Sequence, residues 1–171
     1  MVKGKGLESV VLGKSGRGNS IFKVNHVFTA MLGDNSEIVD GDILLDGEDN
    51  YFVVAVRIAP RASQAQLYKA NGSIDVARII KYFEGGTQKG FTEDPVVRIP
   101  TLHETITATI KQFDVGLLPN TVKRFLIADY GLQLLDRFKF GAEKYQVDAI
   151  DDSKFPGFLS IQCSIDKRVT K

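Results

Sequence analysis

Apolar and polar residues alternate along this chain in short runs, and Gly, Pro, Asn or Asp break the runs at regular intervals. In Tyr145-Gln146-Val147-Asp148-Ala149 the alternation turns one face of a strand to a core and the other to solvent. Phe158 to Cys163 and Thr105 to Phe113 have the same period, the latter with Ile106, Ala108 and Ile110 on one side, and both read as half-buried strands. Ile43-Leu44-Leu45 and Tyr51 to Val56 flank Asp46-Gly47-Glu48-Asp49-Asn50, which reads as a hairpin whose Gly47 supplies the positive φ of a tight turn. Asn71-Gly72 predicts a second hairpin between Gln66-Leu67-Tyr68 and Ser73-Ile74-Asp75-Val76. Val96 to Ile99, bracketed by Pro95 and Pro100, reads as an edge strand. Ile21 to Leu32 reads as one strand or two, and Ile74 to Phe83 and Thr121 to Ala128 as strand or short helix. With no heptads, the pattern predicts a mainly β protein with little helix, a small β-barrel or sandwich.

One β-rich unit occurs twice. At a shift of 94 positions DILLDGEDNYFVVAV (42–56) falls without a gap on DRFKFGAEKYQVDAI (136–150). Gly47 meets Gly141, so both are expected as turn glycines, and Tyr51, Val53 and Ala55 meet Tyr145, Val147 and Ala149 as the core of the repeat. With a three-residue deletion, Ser73-Ile74-Asp75 then falls on Ser164-Ile165-Asp166. The expected organisation is a Gly-rich basic arm with a first strand (1–20), a first β unit (21–84), a linker containing Gly85, Gly86 and Gly90 (85–95), and a second β unit (96–171). Each half is near the size at which a lone core is marginal, so the halves are expected to share a core, pack together or lean on neighbouring subunits.

A net charge of +1 over 171 residues gives no general argument for nucleic acid or an anionic membrane. The charge is uneven, however. Lys3, Lys5, Lys14, Arg17 and Lys23 face a single acid, Glu8, in residues 1–23, whereas Asp34, Glu37, Asp40, Asp42, Asp46, Glu48 and Asp49 follow with no base among them. Arm and acidic stretch could pair within a subunit or between subunits, and the expectation is an assembly contact with Lys3, Lys5, Lys14 and Arg17 set against Asp34, Asp40, Asp46 and Asp49. The lone Cys163 rules out an internal disulfide and suits a reducing cytoplasm. No apolar run has signal-peptide or membrane-helix length.

Candidate chemistry is sparse. Gly13-Lys14-Ser15 lacks the first glycine of a phosphate loop, since Glu8 holds that place. Ile43-Leu44-Leu45 interrupts any calcium-loop spacing among the acids of 40–49. His26 and His103, the only histidines, have no metal-ligand spacing to each other or to Cys163. The expectation is a protein with no catalytic site, no metal and no cofactor.

Gly41-Asp42-Ile43-Leu44-Leu45-Asp46-Gly47 followed by Tyr51-Phe52-Val53-Val54, and the run Asp136 to Val147 behind strand Thr105 to Phe113, resemble the hairpin of tailed-bacteriophage head–tail joining proteins, the head-closure, stopper or neck proteins. About fifteen residues in each half carry the resemblance. It implies a small β-barrel in a homo-oligomeric ring beneath the portal, a structural virion protein that contacts portal or adaptor and tail proteins. DNA passes through the lumen without sequence-specific binding, and no membrane is involved. Two copies in one chain depart from the single barrel of that family. A tail-completion or baseplate component of the virion, or a small-ligand or carbohydrate-binding β domain, are the alternative readings.

Overall fold

A computed structural model describes residues 10–14, 26–59, 63–94 and 97–170. In chain order the strands are β1 (Val11–Lys14), β2 (Val27–Leu32), β3 (Ile43–Asp46), β4 (Asp49–Arg57), β5 (Ser63–Lys69), β6 (Gly72–Ala77), β7 (Ile79–Glu84), β8 (Thr87–Glu93) and β9 (Val97–Thr105). A short helix α1 (Ala108–Phe113) follows, then β10 (Lys123–Ala128), β11 (Arg137–Phe140), β12 (Glu143–Phe155) and β13 (Phe158–Ile165). The protein is mainly β, as its alternation predicts.

The first five strands form a sheet ordered β1-β2-β5-β4-β3, and β10-β13-β12-β11-β6-β9 close into a barrel. All pairings within both are antiparallel. Without β6, the barrel reads β9-β10-β13-β12-β11, strand for strand the topology of the first sheet. The duplication is therefore a duplication of fold, and the second copy differs by having a sixth strand that bridges its two edges.

Register shows the equivalence at residue level. Leu44 pairs with Tyr51 and Phe138 with Tyr145, each pair shifted by 94 from the other. A bulge interrupts β4–β5 between Val53 and Ala55 and β12–β13 between Val147 and Ala149. Tyr51 and Val53 enter the core of the first unit with Ala30, Leu32, Ala65 and Leu67. Tyr145 and Val147 enter the barrel core with Phe125, Ile127, Ile161 and Cys163. Ala55 and Ala149, on the far side of the bulges, are half-buried rather than central to the core. A third cluster joins the units: Val27, Phe52, Val54 and Tyr68 meet Leu102, Leu126, Ala128 and Phe158. The halves share a core.

Several expectations are corrected. Asn71-Gly72 is not a hairpin turn, because β5 stays in the first sheet while β6 crosses into the barrel. Asn71 fixes the crossing: its amide donates to the His103 carbonyl at 3.0 Å and accepts from the His103 amide at 2.8 Å, standing in for a strand. Consequently Ser164-Ile165-Asp166 does not correspond to Ser73-Ile74-Asp75. Ala70 donates to Asn50 and Asp166 to Lys144 in the same way, so Asp166 is the counterpart of Ala70. Of the residues expected as a linker, those described are not a free connection: Gly85-Gly86 turns the chain between β7 and β8, which pair with each other. The strand expected from Thr105 to Phe113 ends at Thr105, where Thr107 caps α1 by accepting from the Ile110 amide. Pro100 lies inside barrel strand β9 rather than at the end of an edge strand. It is paired there to β6 only, β10 joining from Leu102 onward.

One contact between the units is backbone on backbone. Gly157, at φ +73°, lies so close to Gly41 that a Cβ there would sit 2.6 Å from the Gly41 Cα. Gly47, at φ +59°, has open space around it. Gly157→Ala is therefore expected to cost about 3 kcal/mol through clash plus strain, and Gly47→Ala only about 1 kcal/mol through strain alone. Urea unfolding midpoints at equal m-values check the order, and equal losses would show that the two units do not press together at this glycine.

Candidate functional site

The repeated hairpin is the device with the most defined geometry. In the loop before β3 the Asp42 carboxylate accepts from the Val39 amide at 2.9 Å, and before β11 the Asp136 carboxylate accepts from the Gln133 amide at 2.9 Å. Gly41 and Leu135 donate to Val53 and Val147 at 2.8 Å in each case. Gly41 and Leu135 both have positive φ, +91° and +71°. Gly47 and Gly141 are the turn glycines, at φ +59° and +61°. Asp42 and Asp136 are thus builders of the loop, each accepting from a backbone amide three residues earlier, and Asp136 also forms an ion pair with Arg78 at 3.3 Å.

The acidic stretch is partly spent in the same way. Asp40 accepts from the Val56 amide, and Asp49 forms an ion pair with Lys69 of the same chain. Asp34, Asp46 and Glu48 are exposed, as is Lys14 at the end of β1. Lys3, Lys5 and Arg17, the other residues of the expected assembly contact, lie outside the described residues.

A buried ionic network lies where the first copy of the repeat is apolar. Arg137 is fully buried on β11 and donates through Nε to Asp166 at 2.6 Å, through Nη1 to Glu93 at 2.6 Å, and through Nη2 to the Arg168 carbonyl at 2.7 Å. Lys139 also pairs with Glu93, and Arg168 donates to Asp166 at 2.8 Å. Burial alone would raise the Asp166 carboxyl, but hydrogen bonds from Arg168 and Arg137 outweigh it and hold it far below the ordinary range. Glu93 is lowered by the same balance, with Lys139 and Arg137 acting against burial. The network clamps the chain after β13 and the end of β8 to the barrel. Its sequence signal was available: Arg137 stands where the first copy has the apolar Ile43.

Around the crossing at Asn71 lies a cleft of about 320 Å³ lined by residues including His26, Leu102, His103, Glu104 and Thr105. The His103 Nδ1 is buried without a hydrogen-bond partner, and its ring lies 4.2 Å from that of Phe140. Burial, with the Lys123 charge and then His26, pulls His103 down to about 4. Lys123 itself is lowered by burial and sits 5.3 Å above the Phe140 ring, donating to Thr105 at 2.9 Å. Cys163 is fully buried inside the barrel, and burial, then Asp148, pushes its thiol well above the usual value, so it is no nucleophile as placed. Among the described residues no three His, Cys, Asp or Glu side chains are grouped to hold a metal ion. No helix among the described residues is long and apolar enough to cross a membrane. Compared with protein-family models, with curated proteins and with solved structures, the chain matches none.

The network makes a prediction for acid. Because the folded Asp166 and Glu93 carboxyls lie below their ordinary values, their contribution is complete above about pH 4–5 and is lost as pH falls through the folded values. Asp166→Asn leaves Arg137 short of a partner and is expected to cost on the order of 3 kcal/mol at neutral pH. The same variant should lose less further stability below pH 4 than the parent, as measured by denaturant unfolding against pH. An unchanged acid limb would show that the Asp166 carboxylate does not contribute.

His103 acts at higher pH. Its folded value of about 4 lies below the ordinary 6.5, so its contribution is present above 6.5 and is lost as pH falls from there toward 4. His103→Gln is expected to remove that part of the pH dependence. A proton NMR titration placing the imidazole near its ordinary value would contradict the burial seen here.

Proposed function

We propose that this chain is a non-enzymatic structural subunit of a tailed-phage virion, part of the neck ring that joins head to tail around the DNA channel. The twin hairpins support this reading. The residues that resemble the head–tail joining proteins form one structural device twice, with the same register, turn glycine, carboxylate-braced loop and bulge. Both copies belong to barrel-like sheets, the architecture that the resemblance implies.

The polar chemistry suits a scaffold. The largest ionic cluster, around Arg137, ties chain segments together, while Cys163 is sealed in the barrel and His103 is neutral beside a cation. In the ring, portal or adaptor proteins lie on one side and tail proteins on the other, and DNA passes without base readout. Its place is the virion. A tail-completion or baseplate position in the same particle would use the same fold and the same kind of assembly.

The experiment is the mass of the purified protein over a wide range of concentrations, with electron microscopy of the largest species. The expected result is a closed ring with a central opening, populated more as concentration rises. A monomer at every concentration, in low and moderate salt, would overturn the reading.

A further inference from the structure

The second unit shows what the first one lacks. Strand β6 lies between β11 and β9, paired to Arg137, Phe138 and Lys139 on one side and to residues 97–101 on the other. The counterparts of Arg137, Phe138 and Lys139 in the first unit are Ile43, Leu44 and Leu45 of β3. Among the described residues no strand pairs with the outer edge of β3. Leu45 is 74% exposed there, whereas its counterpart Lys139 is half-buried under the closing strand and paired to Glu93. An unpaired edge next to exposed apolar side chains is a template for another strand.

A strand with matching properties exists in the same chain. Strand β7 pairs with β8 and with no strand of either sheet, so its outer edge is also open among the described residues. Ile80 and Phe83 on β7 are 45% and 56% exposed. The base of the hairpin is fixed to the barrel by Glu93, through Arg137 and Lys139, and residues 83–89 are all exposed. Lys81 and Lys89 are exposed on the hairpin, opposite in sign to Asp46 and Glu48 at the end of β3. Within one chain the two edges do not pair.

We infer that β3 of one copy receives β7 of a second copy, so that the hairpin of each subunit supplies the sixth strand of its neighbour's first unit. Backbone hydrogen bonds supply the affinity and the Lys–acid pairing sets direction. Because the two edges are different surfaces, the contact repeated head-to-tail generates a ring or an open filament, and only if two copies exchange hairpins reciprocally does it close as a pair. The inference rests on the assembly reading above and assigns the contact that makes the assembly.

The test mixes two single variants, Leu45→Cys and Ile80→Cys, and treats them with a short bismaleimide. Both positions are exposed, so folding is preserved, and the buried Cys163 gives the parent protein as an unreactive control. The expected product is a cross-linked pair containing one chain of each variant, formed only on mixing. The double variant should give a ladder of linked chains. If the parent assembles but the mixture does not cross-link, the contact lies elsewhere and this inference falls while the ring reading stands. If Leu45→Cys cross-links to itself alone, two β3 edges pair symmetrically, and the head-to-tail contact is overturned. A protein that is monomeric throughout removes both. A second measurement uses Lys81→Glu with Lys89→Glu, which is expected to raise the concentration for half-assembly roughly tenfold, an effect that shrinks with added salt. Unchanged assembly of this variant would remove the charge pairing from the contact.

Discussion

Strands β4 and β10 are each buried on both faces, and the arrangement of everything else follows from that. On β4, Tyr51 and Val53 face the interior of the first unit while Phe52 and Val54 face the second. On β10, Phe125 and Ile127 face the barrel interior while Leu126 and Ala128 face the first unit. Removing a strand side of this kind from water contributes about 1.5–3 kcal/mol for each large apolar residue. Neither unit has so complete a core alone, and a chain of this size divided in two would leave each half marginal. The duplication is thus held as one folded body by a layer that belongs to neither copy.

The hairpins were legible because local rules and tertiary packing agree in them. A glycine at positive φ, an aspartate bracing the preceding loop and a period of two all point to the same structure. The crossing at Asn71 was not legible. Asn-Gly is a strong local turn signal, but here the Asn side chain bonds the His103 backbone across the sheets, a contact separated by 32 residues. Helix α1 was misread because Ile106, Ala108 and Ile110 fit a strand as well as they fit one turn of helix. Only Ile106 among them is buried, and Thr107 as a cap was the signal that separates the two. Glycines mark hairpin turns as readily as flexible joints, and β8 carries only Phe91 as a large apolar residue to reveal its pairing with β7.

The open first unit and the closed second unit also differ in chemistry. Where β6 covers β11, the covered edge holds Arg137 and Lys139, and their charges are met by Glu93 and Asp166. The uncovered β3 edge holds only apolar residues at those positions. A buried ion pair contributes little net stability over an apolar substitute, but removing one member is costly, so such a network fixes which segment lies where. Here it fixes the hairpin base and the chain after β13 against the barrel. The candidate site is therefore two things of different legibility, an edge whose residues are ordinary and a clamp whose Arg137 departs from its repeat partner.

The layer between the units uses unlike surfaces. Phe52, Val54 and Tyr68 of the first unit meet Leu102, Leu126 and Phe158 of the second, and none of these is the repeat counterpart of another. Stacking of this translational kind could in principle be repeated by any unit that carried both surfaces. The second unit, however, has Gln146, Asp148 and Ser164 where the first has Phe52, Val54 and Tyr68, so its outer face is polar where the first unit's is apolar. A third unit would find polar groups that it cannot desolvate without loss. Val11 and Met31 stand in the places of Leu102 and Leu126 and are exposed among the described residues. Three side chains on β12 and β13 thus make the outer face of the second unit unlike the surface through which the first unit stacks.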